Sequence, residues 1–123
     1  MQYLLLIYDD EAQVDRLTPA DRQARGLAYG EFTATLIKGH NMKAGDALQP
    51  SSTATMVRVR EGKTLTTDGP YAESREQLGG YYLIDAPDLD EAIKIAARIP
   101  SARSGAIEVR PIMQLPPDYP RPS

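Results

Sequence analysis

Gly80-Tyr81-Tyr82-Leu83-Ile84-Asp85-Ala86-Pro87-Asp88-Leu89-Asp90-Glu91-Ala92-Ile93 carries a strand and the first turn of a helix, and its reading decides the fold. Aromatic and β-branched residues suit a pleated, half-buried surface, so Gly80 to Ala86 predicts a strand. Asp88 then predicts a helix N-cap, with Glu91 three residues on as the other half of a capping box. Leu89, Ala92, Ile93, Ala96 and Ala97 are expected to face inward, and Pro100 to end the helix. Ala106 to Met113 predicts a returning strand, so the chain closes on a β-α-β unit.

Upstream lies a second such unit. Gln2 to Asp9 reads as a strand apolar on both faces, which must be covered on both sides. In Leu17-Thr18-Pro19-Ala20-Asp21, Thr18 is an N-cap, Pro19 stands at N1 and Asp21 falls in the first turn. That helix is expected to run to Lys38 and stop at Gly39, burying Leu27, Phe32, Leu36 and Ile37. Met42 to Leu48 predicts a strand with Gly45 inside it. Ser52 to Arg60 alternates, with Ala54, Met56, Arg58 and Arg60 on one face and Thr53, Thr55, Val57 and Val59 on the other. Glu61-Gly62-Lys63 turns it back into Thr64 to Thr67 as a hairpin. The order predicts an α+β fold: a ferredoxin-like antiparallel sheet with two helices on one face plus an extra hairpin. Leu5, Val57, Leu83, Ile84 and Val109 are too many apolar strand positions for one helical layer. A second sheet from a twin chain is the simplest cover, so a homodimer is expected.

The 123 residues predict a single domain over 1–115 and a tail over 116–123 that holds four prolines. A net charge of −3 with no basic cluster argues against nucleic acid and anionic membrane as partners. The absence of cysteine excludes disulfides, thiolate catalysis and cysteine metal sites. Tyr3 to Tyr8 is too short and too little flanked by basic residues for a signal or a span, so a cytoplasmic protein is the default expectation. No internal repeat is visible.

Between the hairpin and the Gly80 strand runs Asp68-Gly69-Pro70-Tyr71-Ala72-Glu73-Ser74-Arg75-Glu76-Gln77-Leu78-Gly79. Gly permits positive φ and Pro fixes φ without offering an N–H, so the loop has a set shape suited to contacting a ligand. One helical turn is expected over Glu73–Glu76. Gly79 and Gly80 bring the backbone close to a neighbour.

This loop resembles the signature of the YCII-related family, in particular its DGPF branch, with Tyr71 in place of the usual Phe. Gly45-Asp46-Ala47-Leu48-Gln49-Pro50, Gly79-Gly80-Tyr81-Tyr82-Leu83-Ile84 and Glu108-Val109-Arg110-Pro111-Ile112 resemble the same branch in the same order, so the likeness extends to about Leu115. It implies a dimeric α/β barrel formed by two chains. It also implies an association with extracytoplasmic-function sigma factors and, through it, such a factor as a partner.

Asp68, and after it Glu73, are the candidate acid/base groups, because a partly buried carboxylate at a cleft can titrate in the working range. Asp68 can equally make a turn bond to the Gly-Pro backbone, and Glu73 and Glu76 can be solvated. Gly69 and Pro70 shape the ligand-binding loop. Tyr8, Tyr81 and Tyr82 offer apolar faces with hydroxyls for a planar ligand, although adjacent Tyr81 and Tyr82 must point to opposite faces. Arg58 and Arg110 need a carboxylate partner, such as Asp68, Glu31 or Glu108, or an anionic ligand. His40, the single histidine, follows a helix end and is expected to be exposed. Other family members carry a histidine inside the first helix, where this chain has Ala28 or Tyr29. With one histidine and no cysteine, neither a metal nor any other cofactor is expected. Two functions compete: an enzyme acting on a small cyclic or aromatic substrate by acid/base chemistry, and a non-catalytic ligand-binding or regulatory module.

Overall fold

A computed structural model describes residues 1–122. Among them the elements run β1 (Gln2–Asp10), α1 (Glu11–Asp15), α2 (Pro19–Lys38), β2 (Met42–Ala47), β3 (Thr55–Arg60), β4 (Lys63–Asp68), β5 (Glu76–Asp85), α3 (Leu89–Ala97) and β6 (Ala106–Pro111). Short 3₁₀ turns cover Ser51–Thr53 and Pro100–Arg103. Ser123 of the expected tail lies outside the described residues, and 112–122 form neither strand nor helix.

The caps act as the residue types require. The Thr18 hydroxyl accepts from the Asp21 amide and the Asp88 carboxylate accepts from the Glu91 amide, so each satisfies a donor that its helix leaves unpaired. At the end of α2 the left-handed conformation falls on His40, with φ 60°, and not on Gly39, with φ −82°. Asp10 caps the short α1, which the sequence pattern did not reveal.

β2, β5, β1 and β6 form an antiparallel sheet in that order. α2 joins β1 to β2 across β5, and α3 joins β5 to β6 across β1, so each β-α-β unit holds a strand of the other between its own. β3 and β4 pair only with each other, as a separate two-stranded sheet. Their turn has positive φ at both Glu61 (52°) and Gly62 (76°), the backbone that matches hairpin twist.

One face of the four-stranded sheet carries the core. Tyr3, Leu5 and Ile7 of β1 and Tyr82 and Ile84 of β5 meet Phe32 and Leu36 of α2 and Ala92, Ile95 and Ala96 of α3. Phe32 and Tyr82 pack edge to face at 5.2 Å. Leu5 and Ile84 therefore belong to the helical core and not to the opposite face. Val109 also packs against that core, and Val57 sits in the detached hairpin. The face away from the helices carries Leu4, Leu6 and Leu83, with Leu4 opposite Leu83 and Leu6 opposite Tyr81.

Each helix buries part of the expected stripe, Phe32 and Leu36 in α2 and Ala92 and Ala96 in α3, and departs from it elsewhere. In α2 the inward positions are Arg25, Tyr29, Phe32 and Leu36, at helical spacing, whereas Leu27 and Ile37 are exposed. That inner face mixes polar with apolar residues, so hydrophobicity alone did not mark it. In α3 Ile95 is buried, while Leu89, Ile93 and Ala97 are exposed. Glu73–Glu76 forms no helical turn: Glu76 already pairs with Asp10 as the first residue of β5. β6 stops at Pro111, short of Met113.

Candidate functional site

The end of β1 gathers the surrounding loops through three consecutive carboxylates. Asp9 points toward the helices and accepts from Arg25 Nη2 at 2.9 Å. Asp10 points the other way, caps α1 and meets Arg75 Nε at 3.2 Å. Glu11 accepts from the Ser51 amide at 2.8 Å and from the Ser51 hydroxyl. One acidic run thus ties α2, the loop before β5 and the segment after β2 to the same end of the sheet.

Beside it, β5 is irregular. Ile7 pairs with Gly80 and Tyr8 with Leu78, which leaves Gly79 in a β-bulge. At Gly80 a Cβ would lie 2.9 Å from the Asp46 carbonyl oxygen, so the close neighbour expected of this glycine is β2. Downstream of the hairpin, Gly69 has φ 107° and donates its amide to the Ala54 carbonyl at 2.8 Å, which turns the loop back over the segment at 48–54.

Under that loop lies a cavity of about 560 Å³. Its apolar walls are Tyr8, Leu48, Pro50, Pro70, Tyr71 and Leu78, and Gln49, Ser51, Ser74, Glu76 and Gln77 offer polar groups. The Gln77 amide donates to the carbonyls of Ala72 and Ser74, both at 2.9 Å, so the loop is braced from within. A volume of this size with few polar groups is what a small organic ligand needs.

The predicted site residues distribute unevenly around this cavity. Tyr8 and Pro70 line it, Gly69 sets the loop, and Arg58 lies 5.8 Å over the ring of the lining Tyr71. Glu76 lines it as well. Asp68, at the end of β4 opposite Thr55, and Glu73 are both exposed and stand outside the lining. Tyr82 is buried in the core, where its hydroxyl pairs with Thr33 Oγ1 at 2.7 Å. Tyr81 points to the opposite face and donates to Asp46 at 2.7 Å. Arg110 pairs with Glu108, the structural partner considered for it from sequence. Neither the cavity walls Leu48 to Ser51 and Leu78 nor the Asp9–Arg25 pair carries a sequence signal of its role.

Two tyrosines of the sheet have raised phenols. Burial, and then the Glu108 carboxylate that accepts from its hydroxyl at 3.3 Å, raise the Tyr8 phenol above 10.0. The hydrogen bond to Asp46 is the first cause of the upward shift at Tyr81. Both phenols are therefore hydrogen-bond donors at neutral pH, not phenolates. Among the described residues no group of three or more His, Cys, Asp or Glu side chains is placed to hold a metal ion, and no helix is long and apolar enough to cross a membrane.

The model of the YCII-related domain matches residues 1–116. An uncharacterized protein of Rhizobium meliloti (strain 1021), R00369, is 32% identical over 114 residues, spanning 91% of this chain and 92% of the relative.

Proposed function

We propose that this chain, which belongs to the YCII-related family, is a small-molecule-binding protein that works as a homodimer, with its ligand held under the Gly69–Leu78 loop. The Asp68-Gly69-Pro70-Tyr71 motif and its companion segments favour the DGPF branch within the family. The observation that carries the reading is the cavity of about 560 Å³, whose walls come from that loop, from Tyr8 and from the segment at 48–54. Its apolar and aromatic walls with scattered amide and hydroxyl groups suit a flat, weakly polar molecule. Binding is favoured over acid/base turnover by Asp68 or Glu73, because both carboxylates stand exposed outside the lining.

A thermal-shift screen against planar cyclic and aromatic compounds tests this. A ligand at one hundred times its Kd stabilises the folded state by about 2.7 kcal/mol, enough to read as a raised Tm. Leu78→Arg, which fills the cavity from a partly exposed wall, should abolish the shift, and Asp68→Asn should leave it intact. A hit that survives Leu78→Arg, or a screen without hits, would overturn the reading. Turnover lost in Asp68→Asn would restore acid/base chemistry in its place.

A further inference from the structure

Asp9 is a charged residue only 8% exposed, and its partner Arg25 is half-buried. Carboxylates are rarely buried so far without a reason, and a buried ion pair adds little net stability because desolvation offsets the attraction. This pair also does not close on itself. It borders a second cavity, of about 320 Å³, on the helix side of the sheet and apart from the one under the loop. We infer that this second cavity is a binding site for a neutral, planar cyclic amide, recognised by the free edge of the Asp9–Arg25 pair.

The ion pair uses one bond, from Arg25 Nη2 to Asp9 Oδ2 at 2.9 Å. Among the described residues no buried side-chain nitrogen or oxygen lacks a hydrogen-bond partner, and the bond to Arg25 uses only one oxygen of Asp9. The second oxygen is therefore not sealed off, and Asp9 with Arg25 lines this cavity as well as a neighbouring one of about 510 Å³ beside Glu11 and Ser51. The guanidinium, seated 5.3 Å from the centre of the Tyr29 ring, keeps N–H donors to spare. An acceptor and donors thus stand side by side. The pair is neutral as a unit: an anion would meet Asp9 and a cation would meet Arg25. A neutral group that carries N–H and C=O on one edge, as a lactam does, satisfies both.

The remaining walls fit a flat ring. Ile7, Met42, Tyr29 and Tyr82 are apolar or aromatic, Gly45, Gly79 and Gly80 present bare backbone, and the further polar groups Thr33 and Asp46 are already bonded to the hydroxyls of Tyr82 and Tyr81. The volume admits one or two fused rings. The bulge at Gly79 leaves space beside the carboxylate, since a Cβ there would sit 3.5 Å from Asp9 Oδ2 in ordinary contact. An alanine at this position is therefore tolerated by the fold while it narrows the space beside the carboxylate.

Quinolin-2(1H)-one and its N-methyl derivative, titrated into the full chain and followed by amide NMR, test the proposal. The lactam should move the signals of Gly45, Gly79 and Gly80. The N-methyl compound, which has no N–H for Asp9, should bind about tenfold more weakly or worse, the usual loss when a hydrogen bond to a charged group is removed. Gly79→Ala and Arg25→Met should weaken the lactam to a similar degree. Should Arg25→Met fail to fold, the ligand pair and Gly79→Ala still decide. Equal binding of the two compounds, or no shift at these glycines, would overturn the inference. Shifts confined to Ala72–Gln77 would assign the probe to the loop cavity and overturn it as well, without touching the reading of that cavity.

Discussion

Removing the Tyr29 hydroxyl strands a partner. Ser101 is fully buried and its Oγ meets that hydroxyl, so Tyr29→Phe leaves a hydroxyl unpaired in the interior and should cost about 1–3 kcal/mol in urea unfolding. Burial also pushes the Tyr29 phenol above its ordinary value of 10.0. A folded value raised above the unfolded one stabilises fully below pH 10.0 and is lost as pH climbs through the folded value. The stability gap between the native chain and Tyr29→Phe should therefore be flat through neutral pH and shrink on the alkaline side. A gap unchanged by alkali would show that the phenol ionises as freely as in the unfolded chain. Single residues were legible where their role is local. Gly69 and Pro70 announced a set loop, and they set it. Asp68, the acid beside them, drew the chemical reading but stands exposed, because the cavity uses the loop's Pro70, Tyr71 and Ala72 instead. Asp9 shares the strand parity of Tyr3, Leu5 and Ile7, yet its partner Arg25 lies a helix away, and no local signal joins the two.

At the scale of elements, β3 and β4 form the least supported part of the fold. Of their strand residues Met56 is half-buried and the rest are exposed, including Val57, Val59 and Leu65. A two-stranded hairpin without a packed face is marginal in water. Hydrogen exchange should therefore run orders of magnitude faster at the ladder amides of β3 and β4 than at Leu5 or Ile84 in the central strands. Protection equal to that of β1 would mean that a second surface covers the hairpin. The elements whose ends carry cap or turn chemistry were legible almost to the residue: α2 from Thr18 to Gly39, the start of α3 at Asp88, the hairpin turn at Glu61-Gly62. Helix rotation was not. α2 turns Arg25 and Tyr29 inward and leaves Leu27 and Ile37 in solvent, because the ion pair to Asp9 and the bond to Ser101 orient it as much as its apolar residues do. The start of β5 was hidden for a related reason, since Glu76 and Gln77 are polar and the Gly79 bulge breaks the alternation.

For the whole molecule, the sheet has one face filled by helices and one face still to be accounted for. Of the five apolar strand residues whose number suggested a second cover, Leu5 and Ile84 lie in the helical core, Val109 packs against it and Val57 sits in the hairpin, which leaves Leu83 on the other face. The uncovered stripe is instead Leu4, Leu6 and Leu83, flanked on one side by the Tyr81–Asp46 bond and on the other by Glu108 with Arg110. An apolar centre within a polar rim is the anatomy of a protein interface, and two-fold symmetry would set this patch against itself. Each of these leucines is already half-buried, so covering the remainder is worth less than the figure of about 1.5–3 kcal/mol for a fully exposed one. The flanking side chains must contribute as well to offset the several kcal/mol lost when two bodies associate. Leu6→Glu should break that balance, since each copy would press a carboxylate into the centre of the interface and against its twin. Light scattering should then fall from twice 13.5 kDa to 13.5 kDa. Leu89→Glu, on the outer side of α3, should leave the mass unchanged, because that position is exposed and far from the stripe in the layer order. A native chain that weighs 13.5 kDa at every concentration would leave the leucine stripe in water and remove the second sheet from the proposal.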